Sequence, residues 1–90
     1  MIRKFRQRKA LKADLIILHI GNNQDREGAE GELGEKTLLE HFNLRDINGK
    51  KLFNSLVKRE MIVFDAEKRY YTLGTEGKIR YDEVLGLFGK

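Results

Sequence analysis

The side chains best placed to do chemistry in this chain are amides and cations set close together. Arg45, Asn48, Lys50, Lys51, Asn54, Ser55 and Lys58 fall in one short stretch, and Lys68 and Arg69 follow it. Asn can hydrogen-bond an adenine edge through two groups at once, and Lys can donate to guanine. Cations beside them suit phosphate oxygens. On these grounds Asn48 and Asn54 are candidates for base contacts and Lys51 for either job. Lys50, Lys58 and Arg45 are candidates for phosphate. An ordinary solvated helix face would carry the same residue types, so the pattern needs support from elsewhere in the chain.

A second cluster lies at the N-terminus. Residues 1–12 hold Arg3, Lys4, Arg6, Arg8, Lys9 and Lys12 and no acid. The formal net charge of the 90 residues is +4. Residues 13–90 carry 12 basic and 14 acidic groups, a balance of −2. The chain is thus a slightly acidic domain with a basic arm. Such arms lie along phosphates or enter a minor groove, with release of counterions.

Other chemistry finds little support. There is no Cys, hence no disulfide, thiolate site or Cys nucleophile. His19 sits in an apolar stretch and His41 on an amphipathic one, and each reads as a core or surface histidine. The acids pair with no base, nucleophile or ligand set, so neither a catalytic residue nor a metal site is expected. No cofactor and no small-molecule effector are expected either. The glycines at 28, 31 and 34 lack the Gly-Lys-Ser/Thr of a phosphate cradle. The longest apolar run, Leu15 to Ile20 with His19 counted in, is far short of the roughly 20 residues a membrane span needs. Lys12 and Asp14 interrupt the apolar part of any secretory signal. A cytoplasmic protein is expected.

The elements that must position these residues follow from periodicity. Residues 1–8 read as a flexible basic arm, and 9–90 as one domain. A helix is expected over about 9–21, with Leu11, Leu15 and Leu18 at helical spacing and Gly21-Asn22-Asn23 ending it. Residues 22–34 read as a flexible, acidic, Gly-rich loop. Leu38, Leu39 and Phe42 predict a helix over 35–42. Asp46 is an N-cap candidate for a helix of about 46–59. On its wheel Gly49, Leu52, Phe53 and Leu56 share one face, with Ile47, Lys51, Asn54 and Lys58 opposite. Met61–Asp65 and Arg69–Leu73 read as a hairpin around Ala66-Glu67-Lys68. Of Tyr70 and Tyr71, alternation predicts one buried and one exposed. Gly74 or Thr75 caps a last helix of about 75–88.

This order resembles the winged helix-turn-helix family, which includes many transcription regulators. Thr37-Leu38-Leu39-Glu40-His41-Phe42-Asn43-Leu44 looks like its first helix-turn-helix segment. Gly49 falls where a small residue packs on the preceding helix. Tyr71-Thr72-Leu73 followed by Gly77 is similar to the family's Tyr-x-Leu-Thr-x-x-Gly. Two positions depart from it: Glu60 stands where a Gly is usual, and Gly74 where the capping Thr is usual. The resemblance implies an α+β, mostly α fold: a three-helix core, a two-stranded wing and a C-terminal helix. It implies double-stranded DNA as the partner, with helix 46–59 in the major groove and Lys68 and Arg69 at a wing tip on the backbone. Such proteins commonly pair as homodimers, and Ile79, Tyr81, Val84, Leu85, Leu87 and Phe88 are the candidate interface. Two other functions fit the same residues: a protein-interaction module, and a non-specific nucleic-acid binder driven by the arm.

Overall fold

The structure is a computed structural model that describes the backbone of residues 2–88 and the side chains of 11–87. Helix α1 spans Ile2–Asn23. A single 3-10 turn, Ala29–Gly31, precedes α2, Glu35–His41. Then come α3, Ile47–Lys58, the strands β1, Ile62–Asp65, and β2, Tyr70–Leu73, and α4, Thr75–Phe88. The strands form one antiparallel sheet with Ile62 opposite Leu73 and Asp65 opposite Tyr70. This is a small, mostly helical α+β fold, compatible with a winged-helix-like arrangement.

Helix α1 runs past both expected bounds, about 9 and 21, to Ile2 and Asn23, so Gly21 does not end it. Its backbone is helical from Ile2, where a flexible arm over 1–8 was expected. Ala-Leu-Lys-rich sequence propagates a helix readily, and no Gly or Pro interrupts it before Gly21. Its buried face is Ile16, Ile17 and Ile20, while Leu11 and Leu15 are half exposed. Leu18 is intermediate. The isoleucines win because they face the core that α4 and β2 complete.

The stretch 22–34 is tied down. Ala29 and Leu33 are buried. The Leu33 carbonyl accepts a hydrogen bond from the Tyr71 N–H at 2.9 Å, so β2 is bonded along both edges. The Gln24 side chain accepts from the Leu73 N–H at 2.9 Å, and the Gln24 carbonyl accepts from the Tyr70 hydroxyl at 2.7 Å. For this reason both tyrosines are buried, against the alternation expected of them. Tyr70 points to the 22–34 stretch. Tyr71 meets Phe53 edge-on with ring centroids 5.1 Å apart, and its hydroxyl donates to Glu35.

The segments around α3 carry the sharpest local chemistry. The Asp46 side chain accepts from the Gly49 N–H at 2.7 Å, as an N-cap should. Gly49 is buried, and a Cβ there would overlap the backbone of Leu44. Both helices end in the same motif. Asn43 (φ 55°) and Glu60 (φ 60°) are left-handed. The N–H that follows each bonds back to Leu39 and Leu56 at 2.7 and 2.9 Å. Glu60 thus takes the conformation for which Gly is usual, at a cost of about 1 kcal/mol. Gly74 begins α4 by accepting from the Lys78 N–H.

Candidate nucleic-acid interface

Helix α3 is 12 residues long, about 18 Å at the usual rise. Gly49, Phe53 and Leu56 are buried and hold it to the core. Ile47, Lys51, Asn54 and Lys58 recur at helical spacing on the opposite side and are all exposed. This strip is the outermost surface of the helix. Lys51 and Lys58 make no salt bridge among the described residues, and neither does Lys50. Lys58 also lies in the last turn, where a cation complements the helix dipole.

The remaining candidates flank the strip. Lys50 and Asn54 line a shallow cleft with Glu35, Leu39 and Phe53. Asn48 lies on the other flank, in a cleft with Lys12, Asn43, Leu44 and Leu52. Asn48 and Asn54 are therefore on different sides of the helix, and only Asn54 belongs to the central strip. Ser55 is half-buried and sits at the edge of the exposed face, a weaker place for a contact than its neighbours. Arg45 is exposed but its guanidinium reaches Glu40 on α2 at 3.3 Å. An exposed pair of this kind is weak enough to be exchanged for another anion.

At the hairpin tip, the Asp65 carboxylate accepts from the N–H groups of Glu67 and Lys68 at 3.0 and 3.1 Å. Arg69 belongs to this turn and not to β2, as its φ of 64° requires. Lys68 and Arg69 are both exposed. The Lys68 ammonium lies 6.0 Å from the centroid of the Tyr70 ring. The arm residues Arg3, Lys4, Arg6, Arg8 and Lys9 lie on helical backbone, and their side chains are outside the described residues.

The candidate dimer residues divide. Val84 is fully buried and Tyr81 half-buried. The Tyr81 ring packs over Gly21, and its hydroxyl donates to Asn22. These two close the monomer core. Ile79, Leu85 and Leu87 are exposed. The Phe88 side chain is outside the described residues.

One arrangement was not visible in the sequence. His19 and His41 stack with ring centroids 4.7 Å apart, and the edge of Phe42 meets both. Burial, then the neighbouring His41, pushes the His19 pKa below its ordinary 6.5, and Glu32 opposes the shift. Residues 22 apart offer no local signal of such a pair. Ile47 is exposed, as its place on the α3 wheel predicts. Among the described residues no group of three or more His, Cys, Asp or Glu could hold a metal ion. No described helix is long and apolar enough to cross a membrane. Compared with known proteins, the chain matches no family model, no curated protein and no solved structure.

Proposed function

We propose that the chain is a winged helix-turn-helix protein that binds double-stranded DNA and regulates transcription. In this reading α3 enters the major groove and the 66–69 turn rests on the flanking backbone. The carrying observation is the outer strip of α3, where two cations and an amide stand free of internal partners on a helix anchored by its other face. A helix is the right size for that groove, which is about 12 Å wide. Lys50 and Arg45 flank the strip where phosphates would pass. Asn54 is the leading base reader, with Lys51 beside it and Asn48 on the flank. The basic N-terminal residues add phosphate contacts from α1. The proposed role is binding, with no catalytic step and no cofactor, in the cytoplasm.

The test replaces Lys50, Lys51 and Lys58 by Ala and measures duplex affinity at several salt concentrations. If all three meet phosphates, the slope of log affinity against log salt becomes shallower by about 2 to 3. Unchanged affinity and slope would remove α3 from the interface. Absence of duplex binding by the unaltered chain at low salt favours a protein-interaction module instead.

A homodimer is part of the proposal; of its candidate residues Ile79, Leu85 and Leu87 are exposed and available to a partner. Sedimentation as a monomer at high micromolar concentration would end it.

A further inference from the structure

Ile47 is 74% exposed, the highest value among the large apolar side chains described. It is the first residue of α3 and stands at the head of the strip that continues through Lys51, Asn54 and Lys58. Nothing in the fold uses it: the core is reached by Gly49, Phe53 and Leu56 on the other face. A branched hydrocarbon has no donor or acceptor, so it makes no hydrogen bond to phosphate oxygens. Only one of the four bases presents an apolar group in the major groove, and that is thymine through its C5 methyl. In a helix-turn-helix, moreover, the N-terminal residues of the groove helix are those that meet base edges.

The surroundings of Ile47 favour bases over backbone. Asp46, its neighbour in sequence, is exposed and carries the carboxylate that caps the helix. That charge repels phosphate from the head of the strip itself, while Arg45 and Lys50 on its flanks attract it. The cations of the strip begin a full turn later, at Lys51. A phosphate would therefore be held further along the helix or on its flanks, and the first turn would face the groove floor.

We infer that Ile47 is a specificity-determining residue that packs on the C5 methyl of a thymine, so that the first turn of α3 selects a T·A pair. The inference rests on the DNA-binding reading and names what one side chain of that interface recognises. Its counterpart on the same strip, Asn54, would read a different pair by hydrogen bonds. Discrimination by Ile47 is through contact with a methyl group alone.

The experiment uses the full chain. Duplexes are selected from a random pool, and each thymine of the selected site is then replaced singly by deoxyuridine, which removes the methyl and nothing else. One thymine per half-site is expected to weaken binding about fourfold when changed, the worth of one methylene-sized group leaving water. In Ile47→Ala the thymine and deoxyuridine duplexes should bind equally, while Ile47→Val should retain a preference. Because Ile47 is exposed, Ile47→Ala should melt as the unaltered chain does, which separates lost contact from lost fold. A selected site without a fixed T·A pair overturns the inference, as does a methyl effect that persists in Ile47→Ala. In either case duplex binding itself stands. If no duplex is retained even at low salt, the DNA-binding reading fails and the inference goes with it.

Discussion

Helices α3 and α4 are nearly equal in length, 12 and 14 residues, yet they serve the molecule in opposite ways. In α3 the buried residues fall on one side and the polar ones on the other, and its lysines have no internal partner among the described residues. In α4 the outward apolar residues Ile79, Leu85 and Leu87 are scattered around the circumference. One of its cations is engaged inside the fold: the Arg80 guanidinium holds Asp14 of α1 through two bonds, at 2.9 and 2.8 Å, and also reaches Glu83, while Lys78 is exposed like the lysines of α3. Tyr81 adds a second grip on α1 at Gly21 and Asn22. One helix is thus held by its back and leaves its front free, whereas the other binds the chain's first helix to its last. A free face with uncommitted cations is what an anionic partner requires. A helix that clamps another contributes stability.

The largest effects expected from this difference come from glycine. Gly49 lets α3 approach the turn after α2 so closely that a Cβ would overlap the Leu44 backbone. Backbone cannot swing aside as a side chain can. Gly49→Ala should therefore cost about 3 kcal/mol, the upper part of the range for overpacking, read as a lower urea midpoint. Gly86 on α4 has no atom within 4 Å of its added Cβ. There Gly86→Ala should raise stability by about 0.5 to 1 kcal/mol, because alanine loses less entropy in a helix. Opposite signs are the prediction. Two changes of the same sign would mean that α3 is not seated on α2 as described.

What the sequence disclosed follows the same division. The α3 wheel, the Asp46 cap and Gly49 were legible, because each is set by residues within a few positions of one another. The buried face of α1 was not. Leu11, Leu15 and Leu18 have helical spacing as good as that of Ile16 and Ile20, and only the arrival of α4 and β2 selects between them. The tyrosines misled for a related reason: alternation assumes one solvated face, and β2 has both covered. In 22–34, acids and glycines hid Ala29 and Leu33, two isolated apolar residues that become core. At the candidate site, the strip of α3 and the separation of Asn48 from Asn54, about 120° round the helix, follow from spacing, but the half-burial of Ser55 does not.

A smaller effect is expected at the exits of the two helices that form the candidate reading unit. Asn43 and Glu60 occupy equivalent left-handed positions after α2 and α3. Asn tolerates that conformation and Glu does not. Glu60→Gly should stabilise the fold by about 1 kcal/mol, whereas Asn43→Gly should change it by only a few tenths. Thermal melting of the two variants checks the contrast. A gain at Asn43 as large as that at Glu60 would show that strain is not what separates them.

The smallest effect concerns pH, and it belongs to the back of the molecule alone. The chain's two histidines stand on α1 and α2, so neither α3 nor α4 titrates a histidine. His19 faces His41, with Glu32, Arg26, Asn23 and Thr37 around the same cleft. Its folded pKa lies below 6.5, through burial first and His41 second. The unfolded chain therefore takes up the proton before the folded one does as pH falls. Stability contributed by neutral His19 is fully present above about 6.5 and declines on acidification through the lower, folded value. Carboxylates titrate too, so the informative quantity is a difference. The urea midpoint should fall less between pH 7.5 and 5.5 in His19→Gln than in the unaltered chain. His41→Asn should give an intermediate result, because it removes the second cause of the shift and leaves the first. An identical fall in all three proteins would show that the stacked pair carries no pH-linked stability.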